Sequence, residues 1–250
     1  MLLCVLMFFG QEYMLFHPWE LEKDHVYEFS GANFEEHFVK ANDSTELNAV
    51  LFKVDSGESK GVVIFHHGNT GNIQACGHHY KEFIDRGYDC VIWDYRSYGK
   101  TAGTKSDANF YSDALAIYDW VNVSYKEDEI TMFGQSLGTG FATYVAANRK
   151  PKQLILEAPY YSIQDLGTHE YPIFPAFIVR YPLRTDSHMP NVTCPITMFH
   201  GTNDRTIYWQ SSEKLALLNE NANFIKIEGA THNNIQSQSE FQTKLGTLLP

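Results

Sequence analysis

The 250-residue chain is poor in cysteine and in basic side chains. Its four cysteines are scattered and form no CxxC pair, so a disulfide-built fold is excluded, and this usage favours a reducing compartment. Nineteen Lys and Arg residues stand against thirty Asp and Glu residues, which gives a net charge of −11, and no basic cluster interrupts that balance. A surface that follows the phosphates of a nucleic acid is therefore not expected.

The chain also lacks an apolar run long enough to cross a bilayer. The run over residues 1–9 is followed by Gln11 and Glu12 and then by four more apolar residues, whereas a spanning helix needs roughly 20. No basic flank precedes it, as it would in a secretory signal. Three interpretations of residues 1–16 stay open: the remnant of a membrane anchor, a hydrophobic arm packed on the domain, and a cleaved signal. The choice between a membrane-associated and a cytoplasmic protein stays open with them.

Hydrophobic residues make up 44% of the chain and aromatic residues 14%, a composition typical of folded proteins. Short apolar runs alternate with amphipathic stretches, which predicts an α/β fold with a mainly parallel, doubly wound sheet and helices on both faces. We expect a single domain over residues 17–250. The predicted strands are 47–54, 62–65, 90–93, 130–133, 154–156, 196–199 and 224–227. The predicted helices lie near 75–86, 107–124 (with Asp107 as its N-cap), 137–149, 208–220 and 237–247.

Residues 160–195 interrupt this alternation. Five prolines in the segment forbid a long regular helix, so we predict one or two helical turns above the end of the sheet. The segment is either a lid or an irregular connection. As a lid, its aromatic side chains would bind an apolar acyl group; the alternative is that they pack against the sheet. These side chains are Tyr160, Tyr161, Phe174 and Phe177.

The strongest local motif is the Gly-Gln-Ser-Leu-Gly sequence over residues 134–138. It directly follows one predicted strand and directly precedes a predicted helix. This is the context of a nucleophile elbow, in which small residues two before and two after the serine allow a sharp turn. We therefore predict Ser136 as a catalytic nucleophile. The alternative is a glycine-rich turn with an incidental serine.

A serine nucleophile needs a base and a carboxylate that orients the base. Asp204 lies just past the predicted strand 196–199, and His232 follows the last predicted strand. The order Ser136, Asp204, His232 is the chain order expected of this architecture. Glu228 is a rival carboxylate, but it is too close to His232 in sequence to orient it from a separate strand end.

Acyl transfer also needs hydrogen-bond donors for the developing oxyanion. We predict the backbone N–H of Leu137, which follows the nucleophile, and the amide of Asn69, where Gly68 lets the backbone turn toward the serine. A plain turn role for Asn69 is the alternative. The same region holds four histidines without a recognisable metal-binding motif, so we expect no metal. They are His66, His67, His78 and His79.

Together these motifs resemble the α/β-hydrolase superfamily, in its small-lid branch of abhydrolase-domain proteins. The resemblance extends over almost the whole chain. It rests on residues 14–18, 67–72, 94–99, 134–138, 157–160, 200–204 and 229–233. It implies hydrolysis of acyl substrates by an esterase, thioesterase or lysophospholipase, and an N-terminal anchor in many members. This chain departs from the pattern at Ser97, where a glycine is commoner, and in an apolar N-terminal run shorter than a full anchor.

We therefore expect a serine hydrolase that cleaves carboxylic esters or thioesters through an acyl-enzyme, as a monomer without a cofactor. Its partner would be a small-molecule or lipid acyl substrate, with membrane association through residues 1–16 as an open possibility. Two rival hypotheses are a catalytically silent binding module on the same fold and a serine peptidase of that fold. Acyl length and leaving group depend on the shape of the pocket and cannot be read from the motifs.

Overall fold

The structure, a computed structural model, describes residues 2–55, 57–171 and 175–250. An eight-stranded sheet runs through it in the order β10-β9-β8-β7-β4-β6-β3-β2, and β1 pairs with β5 beside it. The strands are β1 (His17–Pro18), β2 (Asn33–Lys40), β3 (Glu46–Lys53), β4 (Val62–His66), β5 (Thr70–Gly71), β6 (Asp89–Trp93), β7 (Ile130–Gln135), β8 (Gln153–Glu157), β9 (Ile196–Gly201) and β10 (Ala222–Ile227). Strands β10 through β6 are parallel, while β3 runs antiparallel to both β6 and β2.

Helices cover both faces of the sheet. They are α1 (Leu2–Leu15), α2 (Ile73–Cys76), α3 (Tyr80–Ile84), α4 (Asp107–Val121), α5 (Gly138–Asn148), α6 (Ile163–Glu170), α7 (Thr185–His188), α8 (Gln210–Ala216) and α9 (Ser239–Leu248). One core holds Phe110 of α4 and Phe141 of α5, and the other holds Phe83 of α3 and Phe241 of α9. The predicted mainly parallel, doubly wound α/β fold is confirmed.

The seven predicted strands are all present, whereas β2 and the two-residue strands β1 and β5 are not predicted. The longest of these three is β2. That strand carries charged or polar residues at five of its eight positions (NFEEHFVK) and lies at the edge of the sheet, where it is largely exposed. An edge strand of this kind does not give the continuous apolar run of a strand buried on both faces.

The predicted N-cap of α4 was wrong by one residue. Ser106 is the N-cap, because its hydroxyl accepts the backbone N–H of Asn109 at 3.1 Å. Asp107 is the first helical residue, and its carboxylate accepts the backbone N–H of Leu183 at 3.0 Å instead. Burial raises the pKa of Asp107 to about 6. The carboxylate of Asp107 thus binds a residue distant in the chain and does not cap its own helix.

Residues 2–15 form helix α1, which is tied to the segment between β8 and β9. The Gln11 amide donates to the carbonyl of Ile178 at 2.8 Å and accepts the N–H of Arg180 at 2.8 Å. The carboxylate of Glu12 accepts the hydroxyl of Tyr181 at 2.5 Å. Within the described ranges, no helix combines the length and the apolar character that a bilayer crossing requires.

The segment over residues 160–195 contains more helix than predicted. Helix α6 has two turns, a 3₁₀ turn spans Ala176–Ile178, and α7 adds one further turn. Ser162 caps α6 by accepting the N–H of Asp165 at 2.9 Å. Within the segment, the N–H of Ile163 donates to the carbonyl of Pro182 at 3.0 Å.

Candidate active site

Ser136 lies on the sharp turn between β7 and α5. Its backbone φ is +50°, a left-handed conformation that is rare for a residue with a side chain. The crowding of this turn explains the flanking glycines: a Cβ on Gly134 would lie 2.7 Å from the Cα of Thr139, and one on Gly138 would collide with the carbonyl of His66. The N–H of Ser136 donates to the carbonyl of Glu157 at 2.9 Å, which ties the turn to the end of β8.

The structure brings Ser136, His232 and Asp204 together from three separate strand ends. The Nε2 of His232 lies 3.0 Å from the Oγ of Ser136. The Nδ1 of the same ring lies 2.6 Å from Oδ2 of Asp204. Because β7, β9 and β10 are parallel, the loops at their carboxyl ends meet at one edge of the sheet. In this arrangement the histidine can take a proton from the serine while the carboxylate holds its tautomer.

The carboxylate of Asp204 is buried, and both of its oxygens accept hydrogen bonds. Its Oδ1 accepts the backbone N–H groups of Thr206 and Ile207 at 2.7 and 2.9 Å. Its Oδ2 accepts His232 and also His200, whose Nε2 lies 3.1 Å away. Burial by itself would raise the pKa of Asp204, but the hydrogen bonds from His200 and His232 outweigh it and hold the pKa well below its usual range.

Two side chains of this region are not predicted from the sequence. His200 is the last but one residue of β9, is fully buried, and also contacts Ser212 through Nδ1 at 2.6 Å. Glu157 is the last residue of β8 and is buried behind the serine turn. Both residues directly follow an apolar run at a strand's carboxyl end, and that position was the available signal. Because the chain has eleven histidines and thirty acidic residues, that position alone does not distinguish a site residue from the others.

The two predicted oxyanion donors lie beside the serine. A Cβ on Gly68 would lie 3.8 Å from the Cβ of Ser136, so the Gly68–Asn69 backbone passes close to the nucleophile. The carbonyl of Asn69 is held by the N–H of His17 at 2.9 Å and the hydroxyl of Tyr98 at 2.8 Å. Among the described residues, the backbone N–H groups of Asn69 and Leu137 have no hydrogen-bond acceptor. These two N–H groups remain the predicted donors to an oxyanion.

A cavity of 280 Å³, here termed the apolar pocket, opens beside Ser136, Leu137 and Asn69. Its walls come from the end of α1, from α6 and from the 3₁₀ turn. The apolar side chains of the lining include Met14, Leu15, Ile163, Leu166, Ile178 and Val179. These side chains make the wall of the cavity beside Ser136 mainly apolar.

The four aromatic residues predicted to bind substrate are placed differently from one another. Tyr160 lies in the wall of the apolar pocket, is buried, and donates its hydroxyl to the carbonyl of Leu137 at 3.2 Å. Tyr161 is outside the pocket lining and packs against one of the two cores. Phe177 also lies outside it and is 85% exposed. Phe174 lies outside the described residues.

The four clustered histidines make structural contacts. The Nδ1 of His66 accepts the indole N–H of Trp93 at 3.2 Å, and Nδ1 of His67 lies 2.7 Å from the carbonyl of Gly68. In the part of the chain that the structure describes, no three His, Cys, Asp or Glu side chains form a group that could hold a metal ion. The rival carboxylate Glu228 is directed to the hydroxyl of Thr202 at 3.2 Å.

Comparison with known proteins agrees with this fold. A family described as serine aminopeptidase, S33 (Hydrolase_4), matches residues 57–183, just over half of the chain. The chain belongs to this family. It is accordingly an α/β-hydrolase, as the motifs predicted.

The individual proteins that the chain resembles share 29% sequence identity or less with it in the comparisons below. The lysophosphatidylserine lipase ABHD12 of Macaca fascicularis is 29% identical over 180 residues, which are 63% of this chain and 45% of the lipase. The chain thus spans about half the length of these curated relatives. An uncharacterized protein of Mycobacterium tuberculosis is 28% identical over 78% of this chain and 71% of its own. Among solved structures, the Pyrococcus furiosus esterase Pf2001 shares the fold with a TM-score of 0.73 and 18% identity, over 95% of this chain and 97% of that one.

Proposed function

We propose that this hydrolase cleaves carboxylic esters or thioesters of apolar acyl groups, with Ser136 as nucleophile, His232 as general base and Asp204 as the orienting carboxylate. The observation that carries the proposal is the continuous hydrogen-bonded series from the serine Oγ through the imidazole to the carboxylate, at 3.0 and 2.6 Å. A serine with this support is activated for attack on an acyl carbonyl.

The reaction follows from that geometry. The Oγ of Ser136 attacks the acyl carbon while Nε2 of His232 takes its proton. The N–H groups of Leu137 and Asn69 stabilise the oxyanion. The tetrahedral intermediate then collapses, His232 returns the proton to the leaving alcohol or thiol, and the acyl group stays on the serine. Water, deprotonated by His232, releases the acid and restores the enzyme.

The substrate class is inferred from the apolar pocket. Ser136 lines this pocket together with Leu137, Ile163 and Leu166, so an acyl chain attached to the serine contacts aliphatic side chains. Several relatives are lysophosphatidylserine lipases, which makes long-chain lysolipid esters reasonable test substrates. The family description also names an aminopeptidase, and an amino-acid anilide tests that alternative.

The nucleophile is tested by fluorophosphonate labelling of the wild-type protein and of Ser136→Ala. We expect labelling of the wild type alone. For p-nitrophenyl ester hydrolysis, Ser136→Ala should lower kcat by on the order of 10⁴ or more while leaving the fold intact. An unlabelled wild type would favour the silent binding module. Turnover of an alanine anilide in preference to every ester would favour the peptidase.

The acyl pocket is tested by narrowing it at Gly167, which lines it from α6. A Cβ at this position meets no atom within 4 Å, so Gly167→Leu places a side chain in the cavity without a backbone collision. We expect kcat/KM for decanoyl esters to fall about tenfold or more relative to butyryl esters. Gly246→Leu is the matched control, because Gly246 is also helical and open but lies away from the apolar pocket. An unchanged chain-length preference in Gly167→Leu would show that the acyl group binds elsewhere.

A further inference from the structure

A short segment near the N-terminus binds the loop that carries Asn69. The N–H of His17 donates to the carbonyl of Asn69 at 2.9 Å, and the N–H of Trp19 donates to the carbonyl of Gly71 at 3.0 Å, as β1 pairs with β5. The side-chain amide of Asn69 donates in turn to the carbonyl of Leu15, the last residue of α1, at 3.1 Å. We term residues 15–19 the N-terminal strap. Its backbone groups thus hold Asn69 at both the main chain and the side chain.

These contacts fix the direction of the Asn69 N–H, a predicted donor to the oxyanion. That N–H lies in one rigid peptide plane with the carbonyl of Gly68. Nδ1 of His67 lies 2.7 Å from this carbonyl, and because a carbonyl can only accept, Nδ1 carries the proton. On the other side of Asn69, the next carbonyl accepts the N–H of His17 and the hydroxyl of Tyr98. The peptide planes on both sides of the donor are therefore held by hydrogen bonds.

The strap is itself fixed to the body of the domain. The ring of Phe16 is buried, with its centroid 5.4 Å from that of Phe110 and 5.0 Å from that of Tyr181. At the other end of the strap, the side-chain amide of Asn72 donates to the carbonyl of Trp19 at 2.8 Å. The strap therefore presents its backbone groups from a fixed position. A donor held in this way needs no reorganisation when negative charge develops on the substrate.

We propose that the N-terminal strap is a positioning element of the catalytic site, which directs the Asn69 N–H toward the oxyanion through the N–H of His17 and the carbonyl of Leu15. The inference rests on the proposed function, because it needs an oxyanion formed at Ser136. Both backbone groups of the strap act through Asn69 and take no part in the bond changes themselves. Small displacements of a catalytic group lower turnover steeply, so loosening the strap should slow the reaction without preventing substrate binding.

The main-chain contact is tested with His17→Pro, since proline has no backbone N–H. His17→Ala is the reference, because alanine keeps the N–H and the side chain that it replaces is exposed. For p-nitrophenyl butyrate, kcat of His17→Pro should be about 10- to 100-fold below that of His17→Ala, with KM within about twofold. Urea unfolding establishes that both variants are folded.

The side-chain contact is tested with Asn69→Ala, which needs no proline in β1. This variant loses the amide that donates to Leu15 but keeps the backbone N–H of residue 69. We expect kcat to fall by about tenfold, the upper range for loss of one uncharged hydrogen bond. If His17→Pro does not fold, Asn69→Ala decides the question by the inhibitor measurement below.

Two inhibitors distinguish positioning from general damage to the fold: decyl trifluoromethyl ketone and decyl methyl ketone. With the first, the Oγ of Ser136 forms a bond to the carbonyl carbon, its proton passes to His232, and the carbonyl oxygen becomes the oxyanion of a hemiketal. The methyl ketone is much less electrophilic and binds mainly through its chain. In each variant, Ki of the trifluoromethyl ketone should rise by about the factor by which kcat falls, while Ki of the methyl ketone stays within about twofold.

The ratio of the two Ki values gives the result. A ratio shifted in proportion to kcat supports the positioning role of the strap. An unchanged ratio in either folded variant overturns that role and leaves the proposed function in place. A wild-type protein that neither hydrolyses the ester nor is labelled by the fluorophosphonate overturns the proposed function and the inference with it.

Discussion

Replacing Asp204 by Asn keeps the shape of the side chain and removes its charge, which makes it the sharpest test of the proposed series of hydrogen bonds. Oδ1 accepts two backbone N–H groups, from Thr206 and Ile207, so the amide oxygen of an asparagine takes that place. The amide nitrogen must then face His232 in the position of Oδ2. An N–H donor there leaves the imidazole proton on Nε2, the tautomer that cannot take a proton from Ser136.

The expected loss is about 10⁴ in kcat, equivalent to about 5.5 kcal/mol of transition-state stabilisation. KM should change little, because Asp204 does not line the apolar pocket. The assay is p-nitrophenyl butyrate hydrolysis from pH 6 to pH 9, with urea unfolding to establish that the variant is folded.

Asp119→Asn is the matched control, since that carboxylate pairs with Arg149 on the surface at 2.7 Å and should alter turnover hardly at all. If Asp204→Asn kept kcat within about tenfold of the wild type, the inference that this carboxylate sets the tautomer would be refuted.

Three further predictions concern stability, each measured by urea unfolding. Ser106→Ala removes the N-cap of α4 and should lower the free energy of unfolding by about 1 kcal/mol. An unchanged free energy of unfolding would show that Ser106 does not cap the helix. Gly138→Ala should lower the free energy of unfolding by about 3 kcal/mol, because its Cβ meets the carbonyl of His66. Gly246→Ala, whose Cβ meets no atom within 4 Å, should raise it by about 0.5 to 1 kcal/mol. Equal effects of the two substitutions would contradict the explanation by crowding. Burial raises the pKa of Glu157 from 4.5 to about 7, so the folded state binds this proton more tightly than the unfolded state does. Its contribution is greatest below pH 4.5 and is lost as pH rises through 7. Relative to Glu157→Gln, the wild type should therefore lose about 2 to 3 kcal/mol between pH 4.5 and pH 8, and parallel pH profiles would argue against a shifted carboxyl.

Periodicity was a sufficient guide to the fold because most of the sheet is buried on both faces. The continuous apolar runs 62–65 and 90–93 mark strands that contact helices above and below. The edge strand Asn33–Lys40 is not predicted, for the opposite reason. Most of its side chains are exposed to solvent, and several carry charge. Helix α1 is not predicted because an apolar run without caps does not distinguish a helix from an extended arm.

The side chains lining the cavities could not be ranked from sequence. Tyr160 and Tyr161 are adjacent and chemically alike, yet one lies in the wall of the apolar pocket and the other packs away from it. Phe177, in the same segment, faces solvent. Whether an aromatic residue of an irregular segment lines a cavity depends on how that segment folds back over the sheet, and no local pattern encodes this.

The sequence by itself determined the order of the motifs that follow the carboxyl ends of the strands. That order assigns the chain to the α/β-hydrolase fold. Glycines at 134 and 138 are required by local crowding, and the loops that carry Asp204 and His232 follow directly from strand ends. The tertiary structure alone decided which further side chains are buried around Ser136, Asp204 and His232. His200 and Glu157 became part of the site because parallel strands place residues distant in the chain at one sheet edge, where burial sets their hydrogen bonds and shifts the pKa of Glu157.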